Sequence, residues 1–486
     1  MAMLIGGIIL LVIGYFTYGR LIEKLLKPDT RLTPAVKEPD GVDYVELPMW
    51  KNLLIQLLNI AGIGPVIGVI VGIKFGAKCF WIIPLGCILM GAVHDYVSGF
   101  MSLRSDGRNL TGLTRDALGK WYGRIFCGIV AVALLLVVAV FINVPANLIN
   151  GMMPSAEIFW TAVGAIFLYY VIATIFPVDR IIGRVYPIFG ALLLIGTIAM
   201  LGAVLFHVSG DPTLLTETEA FKQGMFSDQP VIPCLFVTIA CGIISGFHAT
   251  QSPIVARTMK AERQARATYY GMMIVEGIIA MIWAAAGMAI YNKFPELMAG
   301  NPNNALLKAT TTFMGSWMGT VTVVSVIVLA VTSGDTALRS LRLTAAETFN
   351  VPQTKLCARI ALCLPLMVIV AGLLWWSNLD KGSFSQLWRY FAWTNQILSA
   401  STLMACTVWM MRQGNKPWYT LLPGMFMTFV VSSFILWTDV KYAGCPYGFA
   451  LPLPWAYGIA GAFTLLCAGL VLRLGRKPAS AAVLEK

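Results

Sequence analysis

Long apolar runs alternate with short polar connections along the whole chain and predict thirteen membrane-spanning helices. A helix needs about 20 mostly apolar residues to cross the hydrocarbon core of a bilayer. Strands of a membrane barrel would instead alternate in segments of roughly ten residues, and this chain lacks that pattern. The pattern therefore predicts an all-α polytopic membrane protein. Numbered as spans 1 to 13, the runs cover residues 3–19, 53–73, 79–100, 125–143, 157–176, 188–207, 231–250, 268–291, 313–335, 357–377, 386–411, 418–437 and 453–473.

Two of the runs are interrupted near their middle. Residues 59–68 read NIAGIGPVIG, and residues 241–256 read CGIISGFHATQSPIVA. Glycine loosens a helix, whereas proline starts one well at its first position. We therefore expect spans 2 and 7 to break and to restart at Pro65 and at Pro253, the latter behind a Ser252 cap. An ordinary kinked helix is the alternative for span 7.

The two broken spans lie five apart, which predicts a repeat of five helices. Because five is odd, the second copy would lie upside down in the membrane, as an inverted-topology repeat requires. Interrupted segments in corresponding positions of two halves also indicate the binding site of a secondary transporter. The predicted parts are a leading helix with its cytoplasmic connection (1–52), a first repeat (53–207), an external loop (208–230), an inverted second repeat (231–411), and two peripheral helices with a cytoplasmic tail (412–486).

Composition agrees with a membrane protein and predicts its orientation. The chain is 58% hydrophobic and 12% charged, and its mean hydropathy is +0.76. Most of the 35 Lys and Arg residues fall in alternate connections, which the positive-inside rule assigns to the cytoplasm. We therefore expect an external N-terminus and a cytoplasmic C-terminus. This asymmetry also explains the net charge of +12 without a nucleic-acid partner.

Ionisable residues at membrane depth are costly and are candidates for function. His94 and Asp95, at the end of span 3, could form a gate or proton relay, or cap the helix at the interface. Glu276 in span 8 could relay protons or pair with a buried cation. Arg389 in span 11 could pair with an anion or extend towards the membrane surface. These four residues are the predicted gating or proton-relay positions.

Polar and small residues at the two breaks are candidate substrate contacts. His248 lies in the break of span 7, where it could touch a substrate or be a hydrogen-bonded structural histidine. Asn395, deeper in span 11, needs a polar partner there. The predicted substrate-binding residues are Asn59, Ala61, Gly62, Gly64, Ser245, Gly246, Phe247, His248 and Asn395.

Span 9 ends in hydroxyl and carboxylate side chains, read as VTSGDT over residues 331–336. Thr332, Ser333 and Asp335 would suit a hard cation such as Na⁺, which prefers oxygen ligands, or a proton on Asp335. A Ser/Thr-rich helix end capped by Asp is the alternative. The ten cysteines show no metal-ligand spacing, and motifs for ATP hydrolysis or common hydrolases are absent from the sequence. We therefore expect neither an enzyme nor a bound cofactor or metal.

Five segments, in this order, resemble the carbon starvation protein family of bacteria and archaea. The resemblance covers about residues 50–405 and implies an inner-membrane transporter linked to nutrient starvation. Its members are assigned peptides or pyruvate as substrates. The five-plus-five arrangement resembles the amino-acid/polyamine/organocation superfamily, whose sixth and first core helices unwind around the substrate. The segments are residues 59–65 (NIAGIGP), 91–96 (GAVHDY), 245–248 (SGFH), 332–336 (TSGDT) and 391–396 (FAWTNQ).

That superfamily resemblance implies a coupling-ion site between spans 2 and 9. Carbonyls near Ala61 and Gly64 would lie opposite the hydroxyls of Thr332 and Ser333. The features together favour a secondary active transporter that imports small carboxylates or short peptides with H⁺ or Na⁺. A starvation-linked membrane sensor or structural component and a passive channel are the alternatives. The substrate, the ion, the oligomeric state and the role of the trailing helices are left open by the sequence.

Overall fold

The computed structural model describes residues 1–176, 182–222, 228–380, 382–438 and 448–476, and each predicted span has a helical counterpart among them. Within these described ranges, ten single helices, and one pair bent by 53°, are long and apolar enough to cross a membrane. The other two predicted spans fall outside this group because segment 231–256 is interrupted and Ser383–Arg412 carries many polar residues. The all-α polytopic fold is therefore confirmed.

The membrane helices follow the predicted order. In the first half they are Ala2–Phe16 with Tyr18–Leu26, Met49–Ile60 with Gly64–Phe75, Cys79–Leu103, Lys120–Met152, Ala156–Ile175 and Ile182–Gly210. In the second half they are Val231–Leu235, Phe236–Thr238 and Ala240–Ile243 with Gly246–Ala256, then Glu262–Lys293, Pro302–Phe349, Leu356–Ser377, Ser383–Arg412, Trp418–Trp437 and Leu453–Gly475. Short helices in the connections are Pro34–Lys37, Leu110–Leu118, Pro212–Leu215, Glu219–Lys222 and Pro295–Met298.

Burial separates central from peripheral helices. The most apolar stretch of Glu262–Lys293 is 89% buried, whereas those of Leu356–Ser377 and Leu453–Gly475 are only 22% and 28% buried. The outer helices expose large apolar side chains such as Val368 and Leu465, which a bilayer would cover. Span 8, which carries Glu276, therefore forms the centre of the bundle.

Span 2 breaks and restarts as predicted. The first half ends at Ile60, and a π-helical turn begins at Gly64 with Pro65 in its first positions. Proline fits there because the first turn of a helix has no intrahelical partner for its N–H groups. At Gly64 a side chain would overlap Cys241 Cβ, so the absence of one brings the two broken spans into contact.

Span 7 breaks where expected but restarts earlier than predicted. Ile244 and Ser245 are extended, and the second half begins at Gly246. Pro253 lies inside the helix Gly246–Ala256, and the Ser252 hydroxyl donates to the His248 carbonyl, so the predicted restart behind a Ser252 cap is wrong. A proline within a membrane helix is tolerated where neighbouring groups satisfy the freed backbone. Asn395 of span 11 caps the helix start at Gly246 instead.

Span 9 extends beyond both predicted ends. It runs from Pro302 to Phe349 and is kinked at Gly315, where φ is +71°. Thr332 to Thr336 therefore lie in the helix interior, and the interpretation of Asp335 as a helix-end cap is wrong. The sequence is misleading here because Arg339 and Arg342 resemble solvated cytoplasmic charges, yet both are fully buried.

Candidate functional site

Asn395 of span 11 holds the start of the second half of span 7. Its Oδ1 accepts the backbone N–H of Phe247 at 2.7 Å and lies 3.1 Å from the Ser245 hydroxyl. Gly246 allows this approach because any side chain there would overlap Leu398 and the backbone of span 11. The structure thus brings four predicted substrate-site residues together, and Asn395 finds the buried partner that it needs.

In the other broken span, Asn59 lies one residue before the end of the first half of span 2. It is fully buried, and neither end of its amide has a hydrogen-bond partner among the described residues. The same holds for Gln56, one turn earlier, which the sequence analysis missed. A buried polar group without a partner costs about 1–3 kcal/mol. Both amides are therefore free to bind water or a polar ligand.

The spacing of these amides could have revealed Gln56. Asn52, Gln56 and Asn59 follow the i, i+4, i+7 pattern that places side chains on one face of a helix. Asn52 is satisfied by Thr258, whose hydroxyl donates to its Oδ1 at 2.7 Å, at the end of span 7. This polar face therefore extends from Asn59, next to the break, to Asn52, where hydrogen bonds join spans 2 and 7.

Hydroxyls of span 9 meet the same half-helix of span 2. Ser333 donates to the Leu58 carbonyl at 2.9 Å, and Thr332 lies 3.4 Å from that oxygen. Gly62 abuts Ser333, since a Cβ at Gly62 would lie 3.4 Å from its hydroxyl. Ala61 is also buried at this break, but the carbonyl in contact is one turn earlier, on Leu58. The oxygen cluster is of the kind that hard cations prefer.

Asp335 faces other neighbours. Its carboxylate accepts the Tyr169 hydroxyl at 2.7 Å and the Tyr186 hydroxyl at 2.9 Å, which join span 9 to spans 5 and 6. Tyr186 also lies 2.8 Å from the Thr332 carbonyl. The structure therefore separates Asp335 from the contact that Thr332 and Ser333 make with the Leu58 carbonyl, although all three side chains come from residues 332–335.

His94, Asp95, His248 and Glu276 form one buried carboxylate–imidazole cluster. The Nδ1 atoms of His94 and His248 lie 2.8 Å and 2.9 Å from the two oxygens of Asp95. His248 Nε2 lies 3.6 Å from Glu276 Oε2. All four side chains are at most 1% exposed, so the interpretation of His94 and Asp95 as an interfacial cap is wrong. Arg389 lies elsewhere, half-buried and less than two turns before Asn395.

The connection before span 2 binds spans 7 and 9 at one end of the site. Asp43 pairs with Arg339 at 2.9 Å and with Arg342 at 3.4 Å. Val45 N–H donates to the Arg257 carbonyl, and Leu47 N–H donates to the next carbonyl, in both cases at the end of span 7. These contacts tie spans 2, 7 and 9 together where the sequence predicts the cytoplasmic face. Local patterns did not signal them because the partners are far apart in the chain.

Sequence comparison identifies relatives of the chain. The family model described as Carbon starvation protein CstA matches residues 1–168, 159–311 and 295–433. An uncharacterized membrane protein of Haemophilus influenzae is 40% identical over 336 residues, 58% of this chain and 89% of that protein. The peptide transporter CstA of Escherichia coli is 28% identical over 57% of this chain and 48% of that protein. The matched region thus spans about half the length of such named relatives.

Two solved structures share the fold. MhsT, in complex with L-phenylalanine, matches with a TM-score of 0.55 at 12% identity over 87% of this chain and 99% of that chain. A Na⁺-coupled sialic acid symporter matches with a TM-score of 0.53 at 13% identity over 98% of both chains. At these identities the likeness concerns the fold alone. It confirms the predicted core of the inverted-repeat transporter type.

Proposed function

The chain belongs to the carbon starvation protein CstA family, and we propose that it is a secondary active transporter working by cation-coupled alternating access. Its cargo is a small carboxylate nutrient, such as a short peptide or a pyruvate-like acid. The observation that carries this proposal is the contact between two broken spans, with Gly64 against Cys241. Irregular backbone at membrane depth occurs where it is buried in protein or lines a cavity. Two such breaks in contact therefore support a central transport site.

The buried amides of Gln56 and Asn59 support a polar substrate. Each offers both hydrogen-bond donors and acceptors, and neither has a partner among the described residues. A peptide bond or a chain of waters would satisfy both their donors and their acceptors, and a carboxylate would satisfy their donors alone. The names of the curated relatives, peptide transporters, favour a peptide or another small molecule that carries a carboxylate.

Cation coupling is supported by two places in the structure. One is the oxygen cluster of Thr332, Ser333 and the Leu58 carbonyl, which suits Na⁺. The other is the carboxylate–imidazole cluster, which suits H⁺. Asp335 would act on the oxygen cluster only indirectly, because it binds Tyr186, whose hydroxyl also contacts the Thr332 carbonyl.

A counterflow screen tests the proposed function. Proteoliposomes preloaded with unlabelled pyruvate, an amino acid or a dipeptide would receive the same compound in labelled form outside. A transporter accumulates label transiently by exchange, and protein-free liposomes provide the baseline. Absence of exchange for the entire panel would reject transport of small carboxylates and peptides.

Substrate charge gives a further prediction. The half-helices that start at Gly64 and Gly246 direct backbone N–H groups towards the breaks, which favours an anionic group nearby. Asn395 already takes up the Phe247 N–H, so this preference rests on the remaining donors. We expect the methyl ester of a transported acid to compete at least tenfold more weakly than the acid, or about 1.4 kcal/mol. Equal inhibition of counterflow by ester and acid would contradict the anion preference.

Membrane orientation gives another prediction. Lys260, between spans 7 and 8, is expected in the cytoplasm, and Gly300, between spans 8 and 9, outside; both are exposed. Cysteines introduced singly at these positions, in a background from which all ten native cysteines have been removed, would be treated with an impermeant maleimide on intact cells. We expect labelling at position 300 alone. Labelling at position 260 from outside would reverse the orientation.

A further inference from the structure

We propose that His248 and Glu276 share the proton that couples transport, and that Asp95 is the positioning residue that holds His248 for this role. The proposal rests on the proposed transport function and deepens it by naming the coupling ion and its site. It also moves His248 from the predicted substrate contacts to the coupling machinery.

The two groups belong to separate membrane segments. His248 lies on the second half of span 7, immediately after the break, whereas Glu276 lies on span 8, which is continuous and 89% buried over its most apolar stretch. The Ile60 carbonyl, at the end of the first half of span 2, also faces the imidazole. A movement of the half-helix Gly246–Ala256 that opens the transport site would therefore move His248 relative to Glu276.

Hydrogen-bond chemistry leaves one position on His248 for a mobile proton. An ionised carboxylate only accepts hydrogen bonds, so Asp95 requires a hydrogen on Nδ1 of both His94 and His248. His248 can then gain or lose a hydrogen only at Nε2, the atom 3.6 Å from Glu276 Oε2. Transfer breaks the Nε2–H bond as the Oε2–H bond forms, which converts an imidazolium–carboxylate pair into a neutral pair.

Glu276 needs this proton for a physical reason. Its side chain is fully buried, and neither oxygen has a hydrogen-bond partner among the described residues. A buried carboxylate without donors is unfavourable unless it is paired with a cation or protonated. Protonated His248 satisfies the first condition, and a proton on Glu276 itself satisfies the second. Either state holds one proton more than the fully deprotonated pair.

The remaining titratable neighbours do not replace this pair. Span 3 contributes Asp95 and His94, which are bound to each other, and the half-helix Met49–Ile60 carries one charged residue, Lys51, in its first turn. Span 11 presents the amide of Asn395. The charged groups of span 9 have other partners: Asp335 accepts hydrogen bonds from Tyr169 and Tyr186. Arg339 and Arg342 pair with Asp43. The other titratable groups near the pair are the thiols of Cys87 and Cys241.

Glu276→Gln tests the proposal because glutamine imitates a permanently protonated side chain. In Na⁺-free proteoliposomes with an acidic exterior, we expect the unmodified protein to accumulate labelled substrate. Glu276→Gln should accumulate at least tenfold less substrate and keep counterflow exchange, which needs no net proton movement. Glu157→Gln, at an exposed helix start, is the matched control and should accumulate normally.

The positioning role of Asp95 has its own readout. Asp95→Asn should shift the pH at which uptake is half-maximal by more than one unit while retaining counterflow. Proton uptake is also measured directly on the unmodified protein in a weakly buffered detergent solution, because this readout does not depend on the folding of a charge variant. We expect about one proton bound per substrate bound, and roughly half that or less after His248→Gln.

Three outcomes would overturn the proposal. Full pH-driven accumulation by Glu276→Gln would show that this carboxylate does not carry the coupling proton. Accumulation by the unmodified protein with a Na⁺ gradient alone, and no proton uptake on binding, would move coupling to the Thr332–Ser333–Leu58 oxygens and leave the transport function intact. Absence of counterflow in the unmodified protein would reject the proposed function itself, and this proposal with it.

Discussion

Gly246→Ala is expected to abolish transport and to lower the melting temperature. The added methyl group would overlap Leu398 Cβ and the backbone of Ser399 and Asn395, and a backbone cannot rotate away as a flexible side chain can. Overpacking of this kind costs about 1–3 kcal/mol. Separation of spans 7 and 11 would also disrupt the 2.7 Å hydrogen bond from the Phe247 N–H to Asn395, which caps the half-helix and is worth about 1 kcal/mol.

The control for this substitution is Gly164→Ala. Gly164 lies in the helix Ala156–Ile175, and nothing approaches within 4 Å of the place where its Cβ would stand. Alanine is the better helix former by up to about 1 kcal/mol, so this variant should be as stable as the parent protein or more so. Counterflow rate and thermal melting are measured for both. Normal counterflow by Gly246→Ala would contradict the close packing of span 11 against the break.

Asp43→Asn is expected to destabilise the protein more than any exposed substitution. Asp43 is the carboxylate that pairs with both Arg339 and Arg342, and all three side chains are buried. Removal of one partner from a buried ion pair costs about 3–5 kcal/mol, because the remaining charge is uncompensated. The connection before span 2 would lose its ion pairs to span 9 at the predicted cytoplasmic end, so we also expect faster substrate leak from loaded proteoliposomes.

Asp106→Asn is the matched control for Asp43→Asn. Asp106 pairs with Lys37 at 3.1 Å, and both side chains are about half exposed, with values of 52% and 48%. Exposed ion pairs contribute about 0–1 kcal/mol, so this variant should melt close to the parent. A melting shift for Asp43→Asn no larger than that of Asp106→Asn would show that the buried network does not hold the spans together.

The Asp43 network should be insensitive to pH in the physiological range. Burial raises the pKa of Asp43, but the neighbouring Arg342 and Arg339 lower it by more, so this pKa lies below its ordinary value. A carboxyl with a depressed folded-state pKa contributes stability above its unfolded pKa, near 3.9, and loses it as pH falls through the folded pKa. The melting difference between parent and Asp43→Asn should therefore persist from pH 8 to about pH 5 and shrink below about pH 4.

Hydropathy and helix breakers predicted the architecture well. The apolar runs located every described membrane helix, and Gly and Pro marked both breaks, because these patterns depend on neighbours in the sequence. The restart of span 7 was misplaced because a local rule, proline at the first helical position, was overridden by the cap from Asn395 in span 11. The end of span 9 was misplaced because Arg339 is buried by its partner Asp43, almost 300 residues earlier.

The sequence predicted individual residues of the site but not which of them contact one another. Depth in the membrane singled out Asp95, His248 and Glu276, yet the sequence could not show that His248 joins the other two. Asp95 and His248 are 153 residues apart, and only the packing of spans 3 and 7 brings them within 2.9 Å. Gln56 was missed because an amide in an apolar run carries no charge to reveal it.

Uptake into proteoliposomes with and without an imposed cation gradient distinguishes cation-coupled transport from passive passage. The substrate is the compound that counterflow identifies, and H⁺ and Na⁺ gradients are imposed separately. We expect one gradient to drive the internal concentration at least tenfold above the external one, a stored free energy of about 1.4 kcal/mol. Without that gradient, the two concentrations should only equalise. Equal internal and external concentrations under every gradient would contradict cation-coupled transport and indicate a passive pathway.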